Sequence, residues 1–213
     1  MSKSNKYGYV GVDIPEQSFG SNKGIFDPSE INELVADNKW TQYGQLELIE
    51  TQTYSTSVAN IDFNSIQESE YNVHLLVGNF SFGTSDLVGV RFYESGVKET
   101  ASVYHVARQF NRGDGTNGEA RSTGSADIFI GEGTTNQQNM YVYIYNAGDS
   151  SKYTFTTQHA TVWDSANSRV FTTYGSGALP QASTVDGINI FGRTSGNNFD
   201  DFDVSLYGIR EYK

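Results

Sequence analysis

Residues 46–66 read LELIETQTYSTSVANIDFNSI. In the first half Leu46, Leu48 and Glu50 alternate with Glu47, Ile49 and Thr51, so an extended chain carries apolar residues on both faces. Past the serines at 55 and 57 the alternation is cleaner. Val58, Asn60, Asp62 and Asn64 fall on one side, and Ala59, Ile61, Phe63 and Ser65 on the other. The pattern predicts two strands folded back on each other as an antiparallel hairpin with one packed face. A lone hairpin is marginal in water, so the rest of the chain is expected to supply the strands that cover that face.

Further strands are predicted at 71–80, 87–93, 101–110, 126–130, 140–146, 153–163, 168–174, 185–191 and 202–209, separated by Gly, Ser, Asp and Asn clusters. The polar stretch 111–123, NRGDGTNGEARST, reads as a loop, and Tyr174-Gly175-Ser176-Gly177 reads as a loop interrupting strands. Fourteen Tyr, thirteen Phe and twenty-two Gly against three Pro favour strands and tight turns. No helix-length segments lie between the strands, which disfavours a parallel sheet, and no fixed repeat supports a solenoid. The expected fold is all-β: an antiparallel, jelly-roll-like β-sandwich preceded by an N-terminal arm and one short helix.

That helix is predicted over 27–37, with Asp27 as N-cap, Pro28 at the first helical position, Glu30 reaching back to the cap, and a staple between Phe26 and Ile31. Ile31, Leu34 and Val35 share one face, which three turns cannot stabilise without a surface to pack on. Residues 1–24 have no sustained period but carry Tyr7, Tyr9, Val10, Val12, Ile14 and Phe19, more apolar groups than a linker needs. Trp40 and Tyr43 are expected to anchor the crossing into the sandwich. The division is therefore residues 1–39 for attachment or oligomer contacts and 40–213 for the β-sandwich.

Fourteen basic against 25 acidic residues give a formal net charge of −11, which repels phosphate backbones, so nucleic acid is not expected as a partner. There is no apolar run long enough to cross a bilayer, and the start of the chain does not read as a signal peptide. Membrane insertion is not expected. Cysteine is absent, which excludes disulfides, thiolate metal sites and a Cys nucleophile.

Candidate chemistry is sparse. Asp114-Gly115-Thr116-Asn117-Gly118-Glu119 and the group Asp200, Asp201, Asp203 offer oxygen ligands for calcium, but neither has EF-hand spacing and both read as solvated turns. Arg112-Gly113-Asp114 is an RGD triplet of the kind that arises by chance. His74, His105 and His159 all fall inside predicted strands without metal-ligand spacing and are read as structural. Gly175-Ser176-Gly177 lacks the strand-to-helix context of a serine nucleophile. With 25 acids, carboxylate pairs are to be expected somewhere, and no particular pair is singled out. No catalytic, cofactor-binding or metal residue is assigned, and no cofactor is expected.

The LIETQTYSTSVANIDF hairpin, the following Tyr71-Asn72-Val73-His74-Leu75-Leu76-Val77 and the terminal Phe202-Asp203-Val204-Ser205-Leu206-Tyr207-Gly208-Ile209 resemble a bacteriophage virion protein type associated with tailed phages of marine, cyanobacterial-type hosts. The resemblance covers about three quarters of the chain, and its motifs are structural. It implies a non-enzymatic virion protein assembled in the host cytoplasm. The N-terminal arm would attach it to other virion proteins, and the sandwich would serve as a tail-fibre, tail-tip or host-contact module, in the manner of a homotrimer. Two other readings stand beside it: a capsid decoration (cement or head-fibre) protein with the same fold, and a carbohydrate-binding or carbohydrate-processing sandwich that meets a host surface glycan. Exposed aromatics would suit sugar stacking, although rings at this density more often pack strand faces together.

Overall fold

The computed structural model describes residue 26 and residues 28–37, 45–133 and 135–210. The predicted arm over 1–24, the Asp27 cap, and Trp40 and Tyr43 lie outside the described residues. The helix is there: α1 spans Pro28–Ala36, has Glu30 in its first turn, and buries none of its residues. Leu34 and Ile31 are half-buried, and Val35 is exposed.

Among the described residues the β unit has thirteen strands: β1 (Leu46–Tyr54), β2 (Asn60–Phe63), β3 (Val73–Phe82), β4 (Asp86–Glu94), β5 (Val97–Lys98), β6 (Tyr104–Arg112), β7 (Asn117–Ser125), β8 (Ile128–Gly133), β9 (Gln138–Tyr145), β10 (Thr154–Asp164), β11 (Arg169–Leu179), β12 (Gly187–Gly192) and β13 (Phe199–Ile209). They form two antiparallel sheets. The larger has the order β1-β13-β3-β9-β10-β11-β6-β7; the smaller has β2-β12-β4-β5, with β8 also pairing β4. The fold is an all-β sandwich, and this strand order, rather than a jelly-roll label, describes its topology.

The predicted 46–66 hairpin does not form. β1 pairs with β13 in the larger sheet, from Leu46↔Ile209 to Tyr54↔Phe202, whereas β2 pairs with β12 in the smaller one. The Ser-rich break is the crossing between sheets, fastened by a bridge between Val58 and Phe199. A register shift between Leu48 and Glu50 makes Ile49 a bulge. The bulge accounts for the mixed alternation: it turns Ile49 toward the core and returns Thr51 and Thr53 to the face that carries Leu46 and Leu48.

Two predicted loops are also strands. Only residues 112–116 turn, with Arg112 N donating to Thr116 O at 2.8 Å, and 117–125 run back as β7. β11 continues through Gly175 and Gly177 without interruption. These glycines mark close approach rather than a turn. A Cβ on Gly175 would lie 2.5 Å from the Ala107 carbonyl oxygen, and one on Gly177 2.5 Å from Ile128 Cγ2 in the facing sheet.

Between the sheets lies one core containing Ile61, Phe63, Leu76, Val90, Phe92, Ile128, Val142, Ile144, Ile188, Ile190, Val204 and Leu206, all fully buried. Phe82 and Phe199 stack at 4.5 Å, with Phe80 edge-on to both, locking β3 to β13. Toward β6 the filling changes to alternating cations and rings. Arg108 lies 3.4 Å from the Phe129 centroid, Arg193 covers the same ring at 5.0 Å, and Arg112 stands 4.9 and 5.0 Å from Phe110 and Phe171.

Candidate contact face on the larger sheet

Along β9, Met140, Val142 and Ile144 point into the core, so Asn139, Tyr141, Tyr143 and Tyr145 must stand on the opposite face. Register carries this outer face across the sheet in four rungs. The first is Leu46, Ile209, Val73, Tyr145, Phe155, Ala178 and His105. The second is Leu48, Tyr207, Leu75, Tyr143, Thr157, Ser176, Ala107 and Arg121. The third is Thr51, Ser205, Val77, Tyr141, His159, Tyr174, Gln109 and Glu119. The fourth is Thr53, Asp203, Asn79, Asn139, Thr161, Thr172, Asn111 and Asn117. The rungs thus grade from apolar and aromatic to amide and hydroxyl.

Four positions on each of the five central strands, β3, β9, β10, β11 and β6, make twenty side chains. None is Asp, Glu, Lys or Arg, on a chain whose formal net charge is −11. Large rings lie open here: Tyr141 and Phe155 are each 44% exposed and Tyr174 41%, with Trp163 farther along β10 at 50%. Three rings of this face, Tyr174, Tyr145 and His159, are tethered. Tyr174 Oη donates to Gln109 Oε1 at 2.9 Å, Tyr145 Oη and Thr157 Oγ1 are 3.1 Å apart, and His159, 5.5 Å from the Tyr141 ring, has Nε2 2.8 Å from Thr172 Oγ1. Each tether draws a ring toward the neighbouring strand and fixes its rotamer before any ligand arrives, which reduces the ordering entropy lost on binding.

Depressions mark the face. One of about 450 Å³ lies among Leu75, Val77, Tyr141, Tyr143, His159 and Thr161. Another of about 590 Å³ lies between β6, β7, β10 and β11, lined by His105, Ala107, Arg121, Phe155, Ser176 and Ala178. A surface of fixed aromatic faces bordered by amides and hydroxyls can stack and hydrogen-bond an uncharged or lightly charged polar ligand.

The residues singled out from sequence are placed as follows. In 114–119, Asp114 Oδ1 accepts from Thr116 N at 2.9 Å and Oδ2 pairs with Arg169, while Glu119 lies out on β7 beside Arg121 at 3.1 Å. These oxygens do not converge. Asp203 accepts from Thr53 Oγ1 at 3.2 Å, Asp201 pairs with Ser81 across the ladder, and Asp200 falls in the irregularity between Phe199 and Asp201. Among the described residues no group of three His, Cys, Asp or Glu side chains could hold a metal. In the RGD triplet Arg112 points inward onto Phe110 and Phe171. His74 is buried, with Nε2 2.7 Å from the Ile66 carbonyl oxygen, and burial holds its pKa below the usual value. The other two histidines stand on the outer face, away from the core.

Carboxylates do gather at one end of the sandwich, where Asp86, Glu132 and Asp164 line a depression of about 320 Å³. Each has a structural partner. Asp86 accepts from Leu87 N, Thr194 N and Thr194 Oγ1, and Asp164 accepts from Asn167 and Arg169, which hold its pKa below the ordinary range against the cost of burial. Burial pushes Glu132 up, and the 3.9 Å pairing with Arg108 opposes this only in part; Arg108 is itself pushed down to about 10 by burial.

No family model matches the chain, and no curated protein matches it. Among solved structures, an endo-β-1,4-glucuronan lyase from the fungus Trichoderma reesei is 10% identical over 81% of this chain and 86% of its own, with a TM-score of 0.28. A protein of unknown function from Shewanella oneidensis MR-1 is 11% identical over 91% of this chain and 99% of its own, with a TM-score of 0.23.

Proposed function

We propose that this chain is a non-enzymatic virion structural protein, a tail-fibre or tail-tip module that meets the host surface through the outer face of its eight-stranded sheet. Residues 1–39 attach it to other virion proteins, and copies associate as a homotrimer. The observation that carries the host-contact reading is the ring-studded stretch of that face, twenty side chains on five adjacent strands without a charge, on an otherwise acidic chain. Such a face is costly to leave in water unless a partner covers it. The virion assignment rests on the resemblance of the 46–66 and 202–209 segments, of which residues 46–54 and 202–209 form neighbouring strands, in continuous register apart from the bulge at Ile49. The helix without buried residues suits an attachment segment.

A capsid decoration role is favoured by a different observation: Leu46 and Leu48, 49% and 59% exposed on the edge strand β1, would suit a coat surface. Labelling purified particles with gold-conjugated antibody against this chain separates the readings. Label at the tail supports the proposal, many copies over the head support decoration, and particles without label would remove the virion assignment.

A further inference from the structure

We infer that the depression between β6, β7, β10 and β11 is a subsite for one carboxylated sugar unit of a host surface polysaccharide, stacked on Phe155 and paired with Arg121. This rests on reading the outer face as the host-contact surface, and it names the ligand class. The floor is made of small side chains, Ala107, Ser176 and Ala178, on the first two rungs. On the first rung Phe155 and His105 stand two strands apart, across Ala178. At about 4.8 Å per strand their backbones stand roughly 10 Å apart, so an aromatic wall and a polar one flank a hollow on the scale of a single sugar ring.

The two walls differ in chemistry. Phe155 is 44% exposed and offers a flat apolar surface to the C–H face of a sugar. Arg121, on the far side, carries a fork of donors that matches a carboxylate. Among the described residues no carboxylate lines this depression. Glu119 is salt-bridged to Arg121 at 3.1 Å and lies in the adjoining hollow with Gln109 and Tyr174. Both partners are well exposed, so the pair is weak and its arginine is available for exchange. One exchangeable arginine on an anionic chain favours an isolated acid group on an otherwise neutral glycan, since a polyanion would meet repulsion from the surrounding surface.

The test titrates the full chain with an otherwise neutral oligosaccharide carrying a single uronate residue, and with the same oligosaccharide after that carboxyl is reduced to an alcohol, at low and high salt. Arg121→Gln is expected to lose roughly tenfold in affinity for the acid form and nothing for the reduced form. Glu119→Gln is expected to bind the acid form more tightly than the native chain, and Phe155→Ala to weaken both. If the native chain binds both forms equally, or binds neither at millimolar concentration, the inference is overturned. The host-contact reading stands or falls separately on whether Tyr141→Ser and Tyr143→Ser abolish binding to whole host cells.

Discussion

Gly208, in the terminal LYGI segment, should be among the least replaceable residues of the domain. It lies on β13 between Glu47 of β1 and His74 of β3, and a methyl group built on it would run into the ring of Tyr71. That ring is 5% exposed, and its hydroxyl donates to Glu47 Oε2 at 2.5 Å. Arg210 closes the group: its guanidinium stands 5.2 Å from the Tyr71 centroid and donates to both Glu47 oxygens, at 3.0 and 2.7 Å. Gly208→Ala therefore displaces a buried aromatic, worth roughly 1.5–3 kcal/mol, and strains a hydrogen bond to a charged group, worth about 1.5–3 kcal/mol when lost outright. With partial relaxation the expected cost is about 2–4 kcal/mol, seen as a midpoint lowered by roughly 5–15 °C in thermal unfolding. The control is a double-mutant cycle. In a Tyr71→Ala background the space is vacated, so adding Gly208→Ala should cost little more. Native stability for the single variant, or simple additivity in the pair, would show that the Tyr71 ring does not require a glycine at 208.

Three further outcomes follow from particular contacts. The hydrogen bond from Arg210, with that from Tyr71, holds Glu47 below its ordinary value of 4.5, so its contribution is complete above that pH and is lost as pH falls through the depressed folded-state value; Glu47→Gln should flatten the acid limb of a stability–pH curve. Gly177→Val should cost about 1–3 kcal/mol by overpacking against Ile128, whereas Ser176→Val, one residue away on the outer face, should stay within about 0.5 kcal/mol; equal effects in denaturant unfolding would contradict the placement of β11. A chain beginning at Trp40 should unfold cooperatively as a β domain yet fail to join particles; an unfolded product would assign the arm and helix to the core, and normal incorporation would remove their docking role.

The class of fold was legible because period-2 alternation is local, and most strands fall where it predicts them. Pairing was not. The partner of β1 lies some 150 residues away, and nothing in 46–66 says that its two halves enter different sheets. The bulge at Ile49 was visible only as an alternation that failed to choose a face. Gly175 and Gly177 resembled a turn because sequence shows a missing side chain without the carbonyl or isoleucine that requires it missing. The Asn111–Thr123 stretch was polar because β7 is an exposed edge strand, so its composition concealed its pairing. The contact face was hidden for the opposite reason. In MYVYIY both faces are hydrophobic by composition, and only burial separates Val142 and Ile144 from Tyr141, Tyr143 and Tyr145.

The most direct measurement is host-cell binding by the purified chain carrying Tyr141→Ser, Tyr143→Ser and Tyr174→Ser together, with its melting temperature taken in parallel. Because these rings lie outside the core, the expected result is a melting temperature close to native together with the loss of cell binding. Undiminished binding by a folded triple variant would contradict it.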